Sequence, residues 1–204
     1  MKSVCIYCAS STKIDFLYTE AATQLGTLLG KRNLKVINGG GSIGLMRTVA
    51  DAVLQAGGTV TGVIPRFMVA NGWGYSALTE MIEVETMHER KQTMVSLSDA
   101  AIVLPGGYGT LEELLEIITW KQLGLYPKPI VILNTNHYFD PLLTMIRHAV
   151  DEHFIHPQHA VLWHVADTPD VAVEMIFKKD SFVFFSKNPL HERPKNQETK
   201  RPRD

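Results

Sequence analysis

The residues best suited to chemistry lie in one stretch, Leu104-Pro105-Gly106-Gly107-Tyr108-Gly109-Thr110-Leu111-Glu112-Glu113. It follows the apolar run Ala100 to Leu104 and leads into Leu111, Leu114, Leu115 and Ile118. Those four are spaced as on one face of an amphipathic helix, so the stretch reads as strand, glycine-rich turn, helix. Glycines in such a turn let a ligand come close to the backbone. The helix start supplies unpaired N–H groups and the positive end of the macrodipole, which suit a phosphate. Glu112 and Glu113 then stand beside a phosphate-bearing ligand. The residues Thr110-Leu111-Glu112-Glu113 also fit a capping box, with Thr110 as N-cap and Glu113 reaching back from N3. A cap alone does not need three glycines.

A second constellation is Met87-His88-Glu89-Arg90-Lys91. Two adjacent cations on a short helix are ordinarily solvated. This helix, however, feeds the strand ending at Pro105, which would let Arg90 and Lys91 face the same crevice. The planar fork of Arg90 suits a phosphate or a ribose oxygen. A third, Gly39-x-Gly41-x-x-Gly44, has the spacing of the dinucleotide fingerprint but follows the second strand. It also lacks the acidic residue about 20 positions on that holds a ribose diol, since no Asp or Glu occurs between Asp51 and Glu80. That argues against a dehydrogenase. The absence of G-K-[ST] argues against a Walker-type loop. Two glycine turns at the carboxyl ends of parallel strands point to a mononucleotide in a shared crevice.

Other candidates are weaker. Cys5 and Cys8 form a lone C-x-x-C inside a strand, where residues three apart point to opposite faces; two small buried residues are expected, not a redox or zinc site. His153, His156 and His159 lack a carboxylate partner and are split by Pro157, so a surface or interface cluster is expected and no metal site. Trp73 and Trp120 read as packing residues. Neither a metal nor a cofactor is expected.

The elements that must carry these residues alternate. Strands are expected at Val4 to Tyr7, Leu34 to Ile37, Thr59 to Ile64, Met81 to Val84, Ala100 to Leu104, Pro129 to Leu133 and Val161 to Val165. Helices are expected at Asp15 to Lys31, after Gly44, at Met87 to Leu97, after Thr110, at Asp140 to Glu152 and at Val171 to Phe177. Residues 66–79 read as irregular. The strands are continuous apolar runs, the signature of a parallel sheet covered on both faces. The expected fold is therefore a single α/β domain, a parallel sheet with helices on both faces, with a mobile polar tail at 186–204. The 204 residues carry 20 Lys and Arg against 21 Asp and Glu, with no basic stripe before the tail, so nucleic acid is not the expected partner. No apolar run is long enough to cross a bilayer, and Met1-Lys2-Ser3 leads straight into a strand rather than a signal peptide; a cytoplasmic protein is expected.

Taken together and in this order, Gly39-Gly40-Gly41-Ser42-x-Gly44-Leu45-Met46, the segment Met87 to Lys91 and the segment Pro105 to Glu113 resemble the Lonely-guy phosphoribohydrolases, cytokinin-activating enzymes often labelled possible lysine decarboxylases. The resemblance covers roughly residues 1–180. It implies a Rossmann-like fold, a doubly wound parallel sheet over residues 1–180, and a homodimer that hydrolyses the N-glycosidic bond of N6-substituted adenosine 5'-monophosphates, releasing an N6-modified adenine and ribose 5-phosphate. By motif position it implies Arg90 and Glu113 as the catalytic pair. It implies ligand contacts from Lys91, Gly106, Gly107, Tyr108, Gly109, Thr110, Leu111, Glu112 and Thr119, with Gly41 and Ser42 from the first turn. No pyridoxal-phosphate motif supports the decarboxylase label. Two positions depart from the family: Arg47 replaces a small glycine, and the loop Asn71-Gly72-Trp73-Gly74 lacks an acidic residue near the base. The alternative on the same fold is a non-catalytic nucleotide or molybdenum-cofactor carrier, which needs the phosphate turn but not the Arg90–Glu113 pair.

Overall fold

Apolar strands with no polar face need cover on both sides, and the chain provides it. The structure, a computed structural model, describes residues 1–178. The expected tail at 186–204 lies outside the described residues. Seven strands occur: β1 (Ser3–Tyr7), β2 (Lys35–Asn38), β3 (Val60–Pro65), β4 (Glu80–Val84), β5 (Ala100–Val103), β6 (Ile130–Leu133) and β7 (His164–Ala166). They pair in parallel throughout, in the order β4-β3-β2-β1-β5-β6-β7. The helices are α1 (Phe16–Lys31), α2 (Gly44–Gln55), α3 (Arg66–Ala70), α4 (Met87–Ser96), α5 (Tyr108–Gln122), α6 (Asp140–Asp151) and α7 (Pro169–Met175).

The two-residue period of a strand divides β1 between two cores. Val4 and Ile6 pack under α1, α2 and α7, whereas Cys5 and Tyr7 pack under α4 and α5. Cys5 and Cys8 are free, buried and in different clusters, as their spacing implied. The order places β1 beside β5, and the chain leaves these neighbours for opposite faces: β1 towards α1, β5 towards α5. In an open parallel sheet that is the switch point, where a crevice opens at the carboxyl ends. The second glycine turn leaves β5 at this point.

Three expectations need correction. Residues 66–79 are not wholly irregular, because Arg66–Ala70 is helical. The Asn71-Gly72 signal, read as loop, closes that helix instead: Gly72 has φ +75°, its N–H donates to Val69 O, and Trp73 N–H donates to Met68 O. Those two bonds make a Schellman cap. Nor does Thr110 cap α5. The helix starts at Tyr108 with Gly107 as N-cap and no side-chain cap bond, so Thr110 lies inside the first turn. Glu113 is engaged by Arg90 instead of reaching back. The same T-x-x-E pattern acts one helix earlier, where Thr86 caps α4 by accepting from Glu89 N–H, and Glu89 accepts from Glu85 N–H. The last strand is also shorter than expected, because Pro157–Val161 coils into a 3-10 turn.

Candidate functional site

The site is built where α4 and α5 enter over the crevice. The cap at Thr86 starts α4, placing Arg90 one turn in, over β3. There the side chain is 8% exposed. Its Nε donates to Val63 O at 3.1 Å and its Nη1 to Glu113 Oε1 at 2.7 Å. Glu113 is 7% exposed and comes from the second turn of α5. Burial pushes the Glu113 carboxyl above the usual carboxylate range, although the Arg90 guanidinium pulls the other way. A buried ion pair of this kind is weak support for stability, because desolvation offsets much of the attraction. Its place beside the first glycine turn is a functional pointer.

Arg90 reaches this position because the first glycine turn makes room for it. A Cβ on Gly39 would collide with the Arg90 guanidinium, and Asn38 Oδ1 holds the turn by accepting from Gly40 N–H at 2.9 Å. Gly41 pairs with Gly74 across an isolated antiparallel bridge, and Ser42 N–H donates to Trp73 O at 3.0 Å. Ser42 also lines a cleft of about 290 Å³ with Ser11, Thr12, Arg47 and Asp51. Arg47 itself pairs with Asp51 and lies over the Tyr75 ring at 5.2 Å, while Tyr75 donates to Asp51. A second cleft, about 540 Å³, runs outside α4 and α5 past His88, Trp120 and Lys128. Neither cleft is lined by Arg90 or Glu113. The buried ionic cluster marks the candidate site better than cleft volume does.

Lys91 is buried beside Arg90 and is forked between Glu112 and Glu116, the latter at 3.0 Å. Burial lowers its pKa, but the two carboxylate partners outweigh that and the net shift is upward. The expectation that adjacent cations are solvated therefore fails for both. At the α5 start, Leu111 N–H donates to Gly107 O, leaving the N–H groups before it outside the helical ladder. Thr110 is 4% exposed, and among the described residues its hydroxyl forms no hydrogen bond. It stands one turn from Glu113 on the same helix face. A Cβ on Gly107 or Gly109 would meet open space, whereas one on Gly106 would strike the Thr110 hydroxyl. Tyr108 is 95% exposed.

The structure thus joins Arg90, Lys91, Glu112, Glu113, Thr110 and the turn from Gly106 to Gly109, with Leu111 half-buried behind them. Thr119 stands two turns further along α5, exposed, its hydroxyl donating to Leu115 O. Trp120 packs on the core, while Trp73 is half exposed rather than packed. The three histidines sit around the 3-10 turn, His156 and His159 with ring centres 5.9 Å apart.

The profile of a family described as "possible lysine decarboxylase" matches residues 46–176. The Arabidopsis thaliana cytokinin riboside 5'-monophosphate phosphoribohydrolase LOG5 is 45% identical over 89% of this chain and 78% of its own. LOG1 of the same plant is 43% identical over 94% and 86%. The chain belongs to the Lonely-guy phosphoribohydrolase family. Among solved structures, the molybdenum cofactor binding protein of Rippkaea orientalis shares the fold, with TM-score 0.66, 20% identity and coverage of 86% and 96%. At that identity the likeness shows the Rossmann-like fold alone.

Within the Lonely-guy chain, three contributions escaped sequence reasoning. Glu116 could have been found, since it follows Glu112 by one helical turn. Asn38 before Gly39 carried an Asx-turn signal. Val63 O carried none, because any residue supplies a carbonyl.

Proposed function

We propose that this protein hydrolyses the N-glycosidic bond of N6-substituted adenosine 5'-monophosphates, and of AMP, giving the free base and ribose 5-phosphate. The observation that carries the reading is the placement of Thr110, a buried residue whose hydroxyl has no partner among the described residues, at a helix start, one turn from a buried carboxylate held by Arg90. The phosphate lies at the α5 start, against the N–H groups of the glycine turn and the Thr110 hydroxyl. That anchors the sugar with its anomeric carbon over Glu113, so remote binding energy is used for orientation.

Cleavage of the C1'–N9 bond sends its electron pair to the base and builds positive charge on the ribose. The ionised Glu113 stabilises that charge and takes a proton from the attacking water. The oxygen of that water bonds to C1', and the proton taken up by Glu113 is passed on through solvent, which protonates the departing base. Arg90 keeps Glu113 ionised and in place, and Lys91 holds Glu112 by an ion pair. No residue in this scheme requires a cofactor or a metal.

A homodimer belongs to the same reading. It is supported by α6, none of whose residues is buried, and by the exposed Leu115 on α5, Leu123 and Leu125 just beyond its end, and Met145 on α6. Light scattering on the purified protein tests it. A cytoplasmic setting also belongs, supported by two unpaired cysteines. No described helix is long and apolar enough to cross a membrane.

The test is incubation with N6-isopentenyladenosine 5'-monophosphate, following free base and ribose 5-phosphate, for the wild type and Glu113→Gln. We expect turnover by the wild type and a loss of about 10²- to 10⁴-fold in kcat for the folded variant. Nucleotide that binds and is never turned over would move the assignment to a carrier.

A further inference from the structure

The loop after β6 reaches across to the second glycine turn. Tyr138 Oη donates to Gly106 O at 2.7 Å. The ring is held edge-on by Tyr18 of α1, with centroids 5.9 Å apart, and by Phe139 at 5.1 Å. The backbone leading to it is strained, because Asn136 (φ 53°) and His137 (φ 57°) are both left-handed and neither is glycine. Buried Asn134 holds that shape: its Oδ1 accepts from Phe139 N–H and its Nδ2 donates to Asp140 Oδ1, each at 2.7 Å. Strain of this kind persists only where surrounding contacts over-determine it, and it clusters at ligand clamps.

What the clamp grips is a peptide plane. Gly106 O belongs to the Gly106–Gly107 peptide, whose planarity sets the Gly107 N–H antiparallel to that carbonyl. Flanked by two glycines, this peptide has little intrinsic preference for one orientation. We propose that Tyr138 is a positioning residue, which fixes the Gly106–Gly107 peptide so that the Gly107 N–H is pre-aimed at the 5'-phosphate of the substrate. The inference rests on the phosphate site proposed above and assigns it a support from a different part of the sheet. Neither β6 nor the loop after it belongs to the motifs that mark the family.

Tyr138→Phe removes the hydroxyl and keeps the ring between Tyr18 and Phe139. In the full chain we expect KM for N6-isopentenyladenosine 5'-monophosphate to rise about 5- to 10-fold, the worth of one hydrogen bond. We expect kcat to stay within about twofold, since the bond contributes equally to ground and transition states. Binding of AMP, by calorimetry, should weaken by the same factor while binding of adenosine, which lacks the phosphate, does not change. Unchanged KM and AMP affinity would overturn the inference. So would an equal loss for adenosine, or a fall in kcat and thermal stability together, which would make Tyr138 a purely structural residue. If the wild type binds AMP without hydrolysing anything, the hydrolase reading fails. The comparison of AMP with adenosine still decides the role of Tyr138.

Discussion

The two glycine turns look alike in sequence and do opposite things. The first, Gly39 to Gly44, is full. A Cβ would strike Arg90 at Gly39 or Ser10 at Gly44, and would press on Met81 and Ile64 at Gly40. Its backbone is tied to Asn38, Trp73 and Tyr75. The second turn is tight only at Gly106; beyond it, Gly107 and Gly109 face open space at the start of a 15-residue helix. Glycine in the first turn makes room for the protein, chiefly for the Arg90 guanidinium. In the second it leaves open space, where the proposed phosphate would sit.

Breaking each turn should therefore give different failures. Gly39→Ala carries the largest expected effect, since the new methyl displaces the Arg90 guanidinium. We expect kcat to fall by at least about tenfold and the unfolding free energy by about 1–3 kcal/mol, as for overpacking, read from urea denaturation. Gly107→Ala adds a methyl to open space at φ −84°, ψ −153°, and replaces a helix N-cap glycine by a poorer cap. Stability should fall by no more than about 1 kcal/mol, while KM for the nucleotide rises about tenfold, equivalent to about 1.4 kcal/mol of binding. A stable Gly39→Ala enzyme with normal kcat, or a Gly107→Ala enzyme that loses as much stability as Gly39→Ala with an unchanged KM, would erase the distinction.

Thr110→Val sharpens the comparison at smaller scale. It replaces an unpartnered hydroxyl on a buried residue by a methyl of similar shape, so thermal stability should hold. The nucleotide KM should rise several-fold while the affinity for free base is unchanged. The smallest effect is on pH dependence. In the proposed reaction Glu113 must be ionised to act, and burial raises its pKa. The acid limb of kcat/KM therefore falls away at a pH above the usual glutamate range. In Gly39→Ala, where the Arg90 charge is displaced, the limb should move higher still. In Gly107→Ala it should stay in place. A limb at the ordinary glutamate value in all three proteins would remove Glu113 from the titration.

The sequence by itself determined the alternation of strands and helices, the parallel sheet, the split of Cys5 and Cys8 between two cores, and the motifs that mark the family. These follow from local periodicity and from residue types at short spacing, which a single stretch of chain carries. The tertiary structure decided the rest. It decided that Arg90 and Lys91 are buried rather than solvated, because their partners arrive from β3 and α5. It moved the capping box from Thr110 to Thr86, because Glu113 has a better partner in Arg90 than in the start of its own helix. It separated two glycine turns of similar composition into one that is packed and one that is open. Spacing specifies which backbone shapes a turn can take, but what fills the space beside it comes from chain segments far away in sequence.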